Sequence, residues 1–285
     1  MDAGLVLPCD GWAAARKGKG MTPRPLPKTV TPLSDELLSG WLTRLAVTNH
    51  CQVDELLAHI GVDTRQAAMP DFDVEVDVTT AAKISIAAGI GSETVKSLSF
   101  GAMTETEALM TAHVAFQSRP DCARPGIALK HWRRTWAFDC QICGAQLNSI
   151  LIKPDSNNIS ENLLRRARLG AGLLESAVLS NCAVRLRRAT RAVNYAKALK
   201  SVRVDSSFAL QSPRPDVRLF CLAAIAVAQS RPLVKAAMFS TGMDGHARVA
   251  LLRAFKTEPR LLAVVDQIAR RKRKNSTSWT AKYHF

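Results

Sequence analysis

The sequence predicts a mainly α-helical protein in three parts: an N-terminal bundle containing a helix-turn-helix, a small cysteine-containing module of zinc-finger type, and a C-terminal helical region. Three observations predict it. Apolar residues recur at three- and four-residue spacing in the front of the chain and almost throughout beyond Ser160. Gly89 separates two short amphipathic stretches, and Cys122, Cys140 and Cys143 flank a Trp-rich basic segment. The expected parts are a leader over 1–30, the bundle over 31–105, the cysteine module over 106–150 and a basic helical domain over 151–285.

The opening "MDAGLVLPCDGWAAARKGKG" carries its bases after its apolar residues, the wrong order for a secretory signal, so a disordered leader is expected, with Met21 an alternative start. A Pro-rich arm follows. Ser34 is expected to cap the first helix with Asp35 and Glu36 in its first turn, where the helix dipole favours acids. Leu37, Leu38, Trp41, Leu42 and Leu45 then form one apolar face ending near Asn49. A second helix stops at Gly61, and "DFDVEVD" reads as an extended connection.

With Gly89 as the turn, Ile84, Ala88, Ile90, Val95 and Leu98 fall at the buried positions of a helix-turn-helix, and Ser92 is expected to cap its second helix. The face left outside presents Glu93, Thr94, Lys96 and Ser97, which suits protein docking as well as DNA. Beyond Ser160, breaks are expected at Gly170, Gly172, 212–215, Pro232, 241–245 and Pro259. The segment 231–255 reads as a helical hairpin, because a second helix-turn-helix would put Arg248 at an apolar position. "RLFCLAAIAVAQSRPLV" is interrupted by polar residues and reads as a buried helix of a soluble protein.

A formal charge of +15 and a pI near 9.9 favour a polyanionic partner, nucleic acid before membrane. Its distribution is uneven. Residues 34–79 hold nine acids against Arg44 and Arg65, whereas residues 161–203 hold ten bases against Glu161 and Glu175. The candidate nucleic-acid contacts are therefore Arg165, Arg166, Arg168, Arg185, Arg187, Arg188, Arg191, Lys197 and Lys200, with Lys96 from the helix-turn-helix; "RRKRK" at 270–274 adds a second basic cluster.

Seven cysteines without a secretory signal point to a reducing compartment with free or metal-bound thiols. Cys140 and Cys143, followed by Gly144, form one half of a zinc site; Cys122 supplies a third ligand, with Arg119 where its partner would stand. His131, His113 or water could complete the four. The alternative is a module held by Trp132, Trp136 and Phe138 with its thiols free. Single histidines at 59, 113 and 246 read as surface or packing residues, and no catalytic set is apparent, so no enzymatic activity is expected.

"RPLPKTVTPLSDELLSGWLTRLAVTNH" resembles the opening of the TniQ family, through Glu36, Leu38, Gly40, Trp41, Leu42, Arg44, Ala46 and Asn49. The Gly89 segment and the cysteine module resemble the parts that follow, with Pro120, Cys122 and Cys140 in place, Cys143 where the family carries His, and Arg119 where it carries Cys. The resemblance covers about 22–150. It implies a non-catalytic accessory factor of DNA transposition that works with a transposase and an AAA+ ATPase in choosing the target, in some members coupled to a CRISPR effector complex. It also implies Zn2+ in the module and a bacterial cytoplasm beside the nucleoid. Two other classes fit the same residues: a helix-turn-helix transcriptional regulator reading an operator as a homodimer, and an adaptor that docks on acidic protein or RNA without binding DNA.

Overall fold

The computed structural model describes residues 24–62, 72–122, 126–151, 159–240 and 245–280, with side chains as far as Arg273. The leader over 1–20, Met21 and the break at 241–244 lie outside the described residues. Helices dominate: α1 (Leu38–Thr48), α2 (Val53–Ile60), α3 (Val78–Ala88), α4 (Ser92–Ser97) and α5 (Glu105–Met110) precede a two-stranded hairpin. Its strands are β1 (Gln117–Ser118) and β2 (Asn148–Ser149). Then come α6 (Glu161–Leu179), α7 (Ala183–Leu199), α8 (Ser206–Leu210), α9 (Pro215–Gln229), α10 (Arg231–Phe239), α11 (Gly245–Ala254) and α12 (Pro259–Thr280).

In the front bundle the expected face of α1 is buried, with Leu38, Trp41, Leu42 and Leu45 packed on Leu56, Leu57 and Ile60 of α2, Ile84 of α3 and Val95 of α4. The Trp41 indole N–H, which burial would otherwise leave costly, donates to the Val30 carbonyl at 2.8 Å and pins the Pro-rich arm. Gln52 and Glu55 form a capping box on α2, and Gly61 ends it in the left-handed conformation at φ 82°. Asp77 caps α3 by accepting from the Thr80 N–H at 2.9 Å. Gly89, at φ 67°, turns the chain into α4, and Ile84, Ala88, Val95 and Leu98 are buried while Ile90 is half-buried.

Two expected caps move. Gly91 is the cap residue of α4, so Ser92 opens the helix without capping it. The cap of α1 is Leu37, with no side-chain bond, and Ser34 lies outside the helix. Asp35 takes φ 60° in the preceding loop, and neither it nor Glu36 is a solvated helix-face acid. Glu36 is 1 % exposed. A carboxylate removed from water needs charged or N–H partners, and Glu36 accepts from Arg44 at 2.8 and 2.7 Å and from the Leu33 N–H at 2.7 Å. Asp35 accepts from the His131 backbone N–H at 2.9 Å and lies 2.7 Å from its Nδ1, which ties the bundle to the cysteine module.

The module pairs Gln117 with Ser149 and Ser118 with Asn148 in antiparallel register. Its expected aromatic core is divided. Trp132 packs with Leu129, Cys140 and Leu147, whereas Trp136 and Phe138 join the core of the helical domain. So small a module buries too little apolar area by itself, and Trp136 and Phe138 find cover in the core of the helical domain.

α9 is the axis of that domain. Every residue from Val217 to Val227 is buried, enclosed mainly by α6, α7 and α12. α6 runs unbroken through Gly170 and Gly172, where breaks were expected, because Gly170 is a point of close approach to α9 rather than an interruption. Among the described residues no single helix is long and apolar enough to cross a membrane; α9 and α10 are so only as a pair, and they are bent by 74°.

Candidate nucleic-acid interface and metal centre

Helix α7 buries Ala189, Ala192, Val193 and Ala196, residues at three- and four-residue spacing, which turns Arg185, Arg187, Arg188 and Arg191 outward. By the same rule α12 buries Leu261, Val264, Val265 and Ala269 and exposes Arg270, Arg271 and Lys272. The sharp turn from α9 to α10 places Gln229 and Arg231 between these two helices. Arg188, Arg191, Arg231, Arg271 and Lys272 thus line one cleft over an apolar floor of Ala228, Val234 and Ile268. Arg191 and Arg271 are shared with an adjoining groove that adds Arg187, Asn194 and Tyr195. No carboxylate lines either, and none forms an ion pair with these cations among the described residues. A concave wall carrying one sign of charge focuses potential and concentrates polyanions.

The other expected contacts divide differently. Arg185 is exposed and bonds Ser176 Oγ at 3.1 Å, and Arg165 bonds Asn162 at 3.1 Å. Arg166 is drawn inward, donating to the Ala254 carbonyl and lying 4.1 Å from the Phe255 ring centre. Arg168 forms a two-pronged pair with Asp139, both bonds 2.9 Å, over Phe138. Lys200 pairs with Asp216 at 3.1 Å, and Lys197 donates to the Val204 carbonyl. Lys96, on α4, pairs with Glu93 at 2.8 Å and lines neither groove. The residues that sequence reasoning missed are Gln229 and Arg231, which read as a helix break. The face pattern of α12 could have singled out Arg271 and Lys272 within the basic cluster.

The three module cysteines converge. Their sulfurs lie within 4.8 Å of one another, Cys122 and Cys140 at 3.9 Å. Tight turns bring them there: Gly144, at φ 71°, donates to the Cys140 carbonyl at 2.8 Å, and the Cys122 N–H donates to the Arg119 carbonyl at 2.9 Å. Tetrahedral zinc, with bonds near 2.3 Å, wants sulfurs about 3.8 Å apart, so the three thiols can hold a metal ion at three corners. His131 stands outside this group, fully buried, with Nδ1 engaged by Asp35. Arg119 pairs with Asp121 at 2.7 Å. Burial and hydrogen bonding of its S–H with the other two sulfurs push Cys122 up to about 12, while the Ala145 N–H and the Cys122 thiol hold exposed Cys143 below its usual value. A bound cation would have to displace the Cys122 proton.

The TniQ family model matches residues 27–232, which extends the resemblance legible over 22–150 through α6 to α9. No curated protein and no solved structure matches the chain significantly. On a match running from the Pro-rich arm, across the cysteine module, to the first turn of α10, the chain belongs to the TniQ family of transposition-associated accessory proteins.

Proposed function

We propose that this TniQ protein is a DNA-binding adaptor in transposition that helps select the insertion target. In this reading the cleft between α7, α10 and α12 holds the nucleic-acid backbone. The observation that carries it is the gathering of five cations, and no carboxylate, around one concave surface. The front bundle, with Asp54, Glu55, Glu75 and Glu93 exposed, stays available to a protein partner, and a transposase or AAA+ ATPase is the kind of partner family membership implies. Lys96 belongs to that docking side, since Glu93 already neutralises it. The protein performs no catalysis in this scheme. Zn2+ at Cys122, Cys140 and Cys143 serves structure, with its fourth position left to water or an external ligand.

Titrating the full chain onto labelled duplex DNA at several salt concentrations tests the proposal. Binding should weaken steeply as salt rises, with a log-log slope of about 0.9 for each phosphate neutralised. Binding that is absent or indifferent to salt would instead favour an adaptor that recognises protein.

A further inference from the structure

The cleft and its adjoining groove are two stretches of one trough, because Arg191 and Arg271 wall both. Helices α7 and α12, which supply these two arginines, pack directly against each other. Packed helices stand about 8–10 Å apart axis to axis, and that spacing sets the scale of the trough's width. A B-form duplex, whose major groove alone is about 12 Å wide, can rest one edge on the rim but cannot enter. A single strand can.

The lining carries more than charge. Two rows at four-residue spacing run along α7 into the groove: Leu186, Thr190 and Asn194 in one, Arg187, Arg191 and Tyr195 in the other. The second row sets an aromatic ring one turn beyond two cations. Tyr195 is half-buried, packed on one side against the core of the helical domain and lining the groove with the rest, so the ring is held still while part of it faces a ligand. Arg187, Arg188, Arg191 and Arg271 are exposed, as are Thr190 and Asn194, so each is within a ligand's reach.

A phosphate backbone alone has no use for a tyrosine. Sites that take single strands without regard to sequence join two features: a basic groove that tracks the backbone, and an aromatic side chain on which a base stacks. Both are present here.

We infer that this trough seats a single strand of DNA, with its phosphates on Arg187, Arg188, Arg191 and Arg271 and one base stacked on Tyr195. The inference rests on the DNA-binding reading above and names the form of DNA that the surface takes best. A duplex binds by one edge and less tightly. Charge density alone works against this preference, which makes it diagnostic. A duplex carries one phosphate per about 1.7 Å of axis and a single strand one per about 3.4 Å, so a surface gripping phosphate only would favour the duplex.

Anisotropy titrations of the full chain onto labelled oligo-dT, an abasic strand and a duplex, all of one length and at one salt concentration, test the inference. Oligo-dT should bind at least about fivefold more tightly than the abasic strand, the lower end of what stacking one base contributes, and more tightly than the duplex. Tyr195→Phe should keep that margin and Tyr195→Leu should remove most of it, with duplex affinity unchanged by either. Should Tyr195→Leu fail to fold, the comparison with the abasic strand needs no variant. Equal affinity for oligo-dT and the abasic strand would overturn the inference, as would tightest binding to duplex or a margin that survives Tyr195→Leu; salt-dependent duplex binding would then leave the broader DNA-binding reading standing. Failure to bind any of the three would end both.

Discussion

Gly170 of α6 faces the Leu222 carbonyl of α9 so closely that a Cβ built on the glycine would sit 1.8 Å from that oxygen. Backbone meets backbone there, and neither helix can give way by rotating a side chain. Gly170→Ala should therefore destabilise the protein by about 3 kcal/mol or more, at the upper end of overpacking costs. Gly172, two residues on, has open space around it, so Gly172→Ala should be neutral or stabilising by up to about 1 kcal/mol through helix propensity. Urea unfolding of the two variants checks the contrast, and similar effects would contradict the close approach.

Charge reversal should rank the arginines by their freedom. Arg188→Glu with Arg191→Glu should weaken duplex binding and reduce the salt slope by about 0.9 for each phosphate that is no longer neutralised. Lys96→Glu should leave affinity and slope nearly unchanged, because that ammonium already pairs with Glu93. Fluorescence anisotropy across a salt series measures both, and the opposite ranking would return DNA recognition to α4.

Acid should loosen the junction between bundle and module. Burial opposes the Asp35 anion, but its hydrogen bonds from His131 and the Arg134 charge outweigh that effect and hold the carboxyl below its ordinary 3.8. The Thr80 hydrogen bonds lower Asp77, and at Asp216 the bonds from Lys200 and Arg214 overcome burial. A folded pKa below the unfolded one contributes stability that is full above the unfolded value and is lost as pH falls through the folded one. The melting midpoint should therefore drop steeply below about pH 4. Asp35→Asn should flatten part of that drop while lowering stability at neutral pH.

Metal content separates ligand from strut. Elemental analysis should find close to one zinc per chain in the wild type and much less in Cys140→Ser. His131→Gln should keep the metal while costing about 1.5–3 kcal/mol, the worth of a hydrogen bond to a charged group, since it breaks the tie to Asp35. Zinc lost from His131→Gln at intact fold would restore the histidine as a ligand.

Local period makes much of this fold readable. The α1 face, the Gly61 and Gly89 turns and the buried character of α9 follow from spacing within a few residues of one another. The three cysteines are equally legible, because Cys140 and Cys143 sit on one turn closed by Gly144. Long-range partners are not. Asp35 looks like a first-turn acid until His131, ninety-six residues later, is brought against it. Gly170 reads equally as a break or a contact, and only the neighbouring helix decides. Likewise, Arg191, Arg231 and Arg271 are forty residues apart in sequence, and no window short enough to show a helix period includes all three.

Among the described cations, Arg44, Arg168 and Lys200 brace the architecture and already have their carboxylates, whereas those lining the cleft have none. In the proposed role, ionic strength would therefore act as a dial on grip, and a polyanion held in the cleft would be let go by competing counterions with the protein intact and ready for the next encounter.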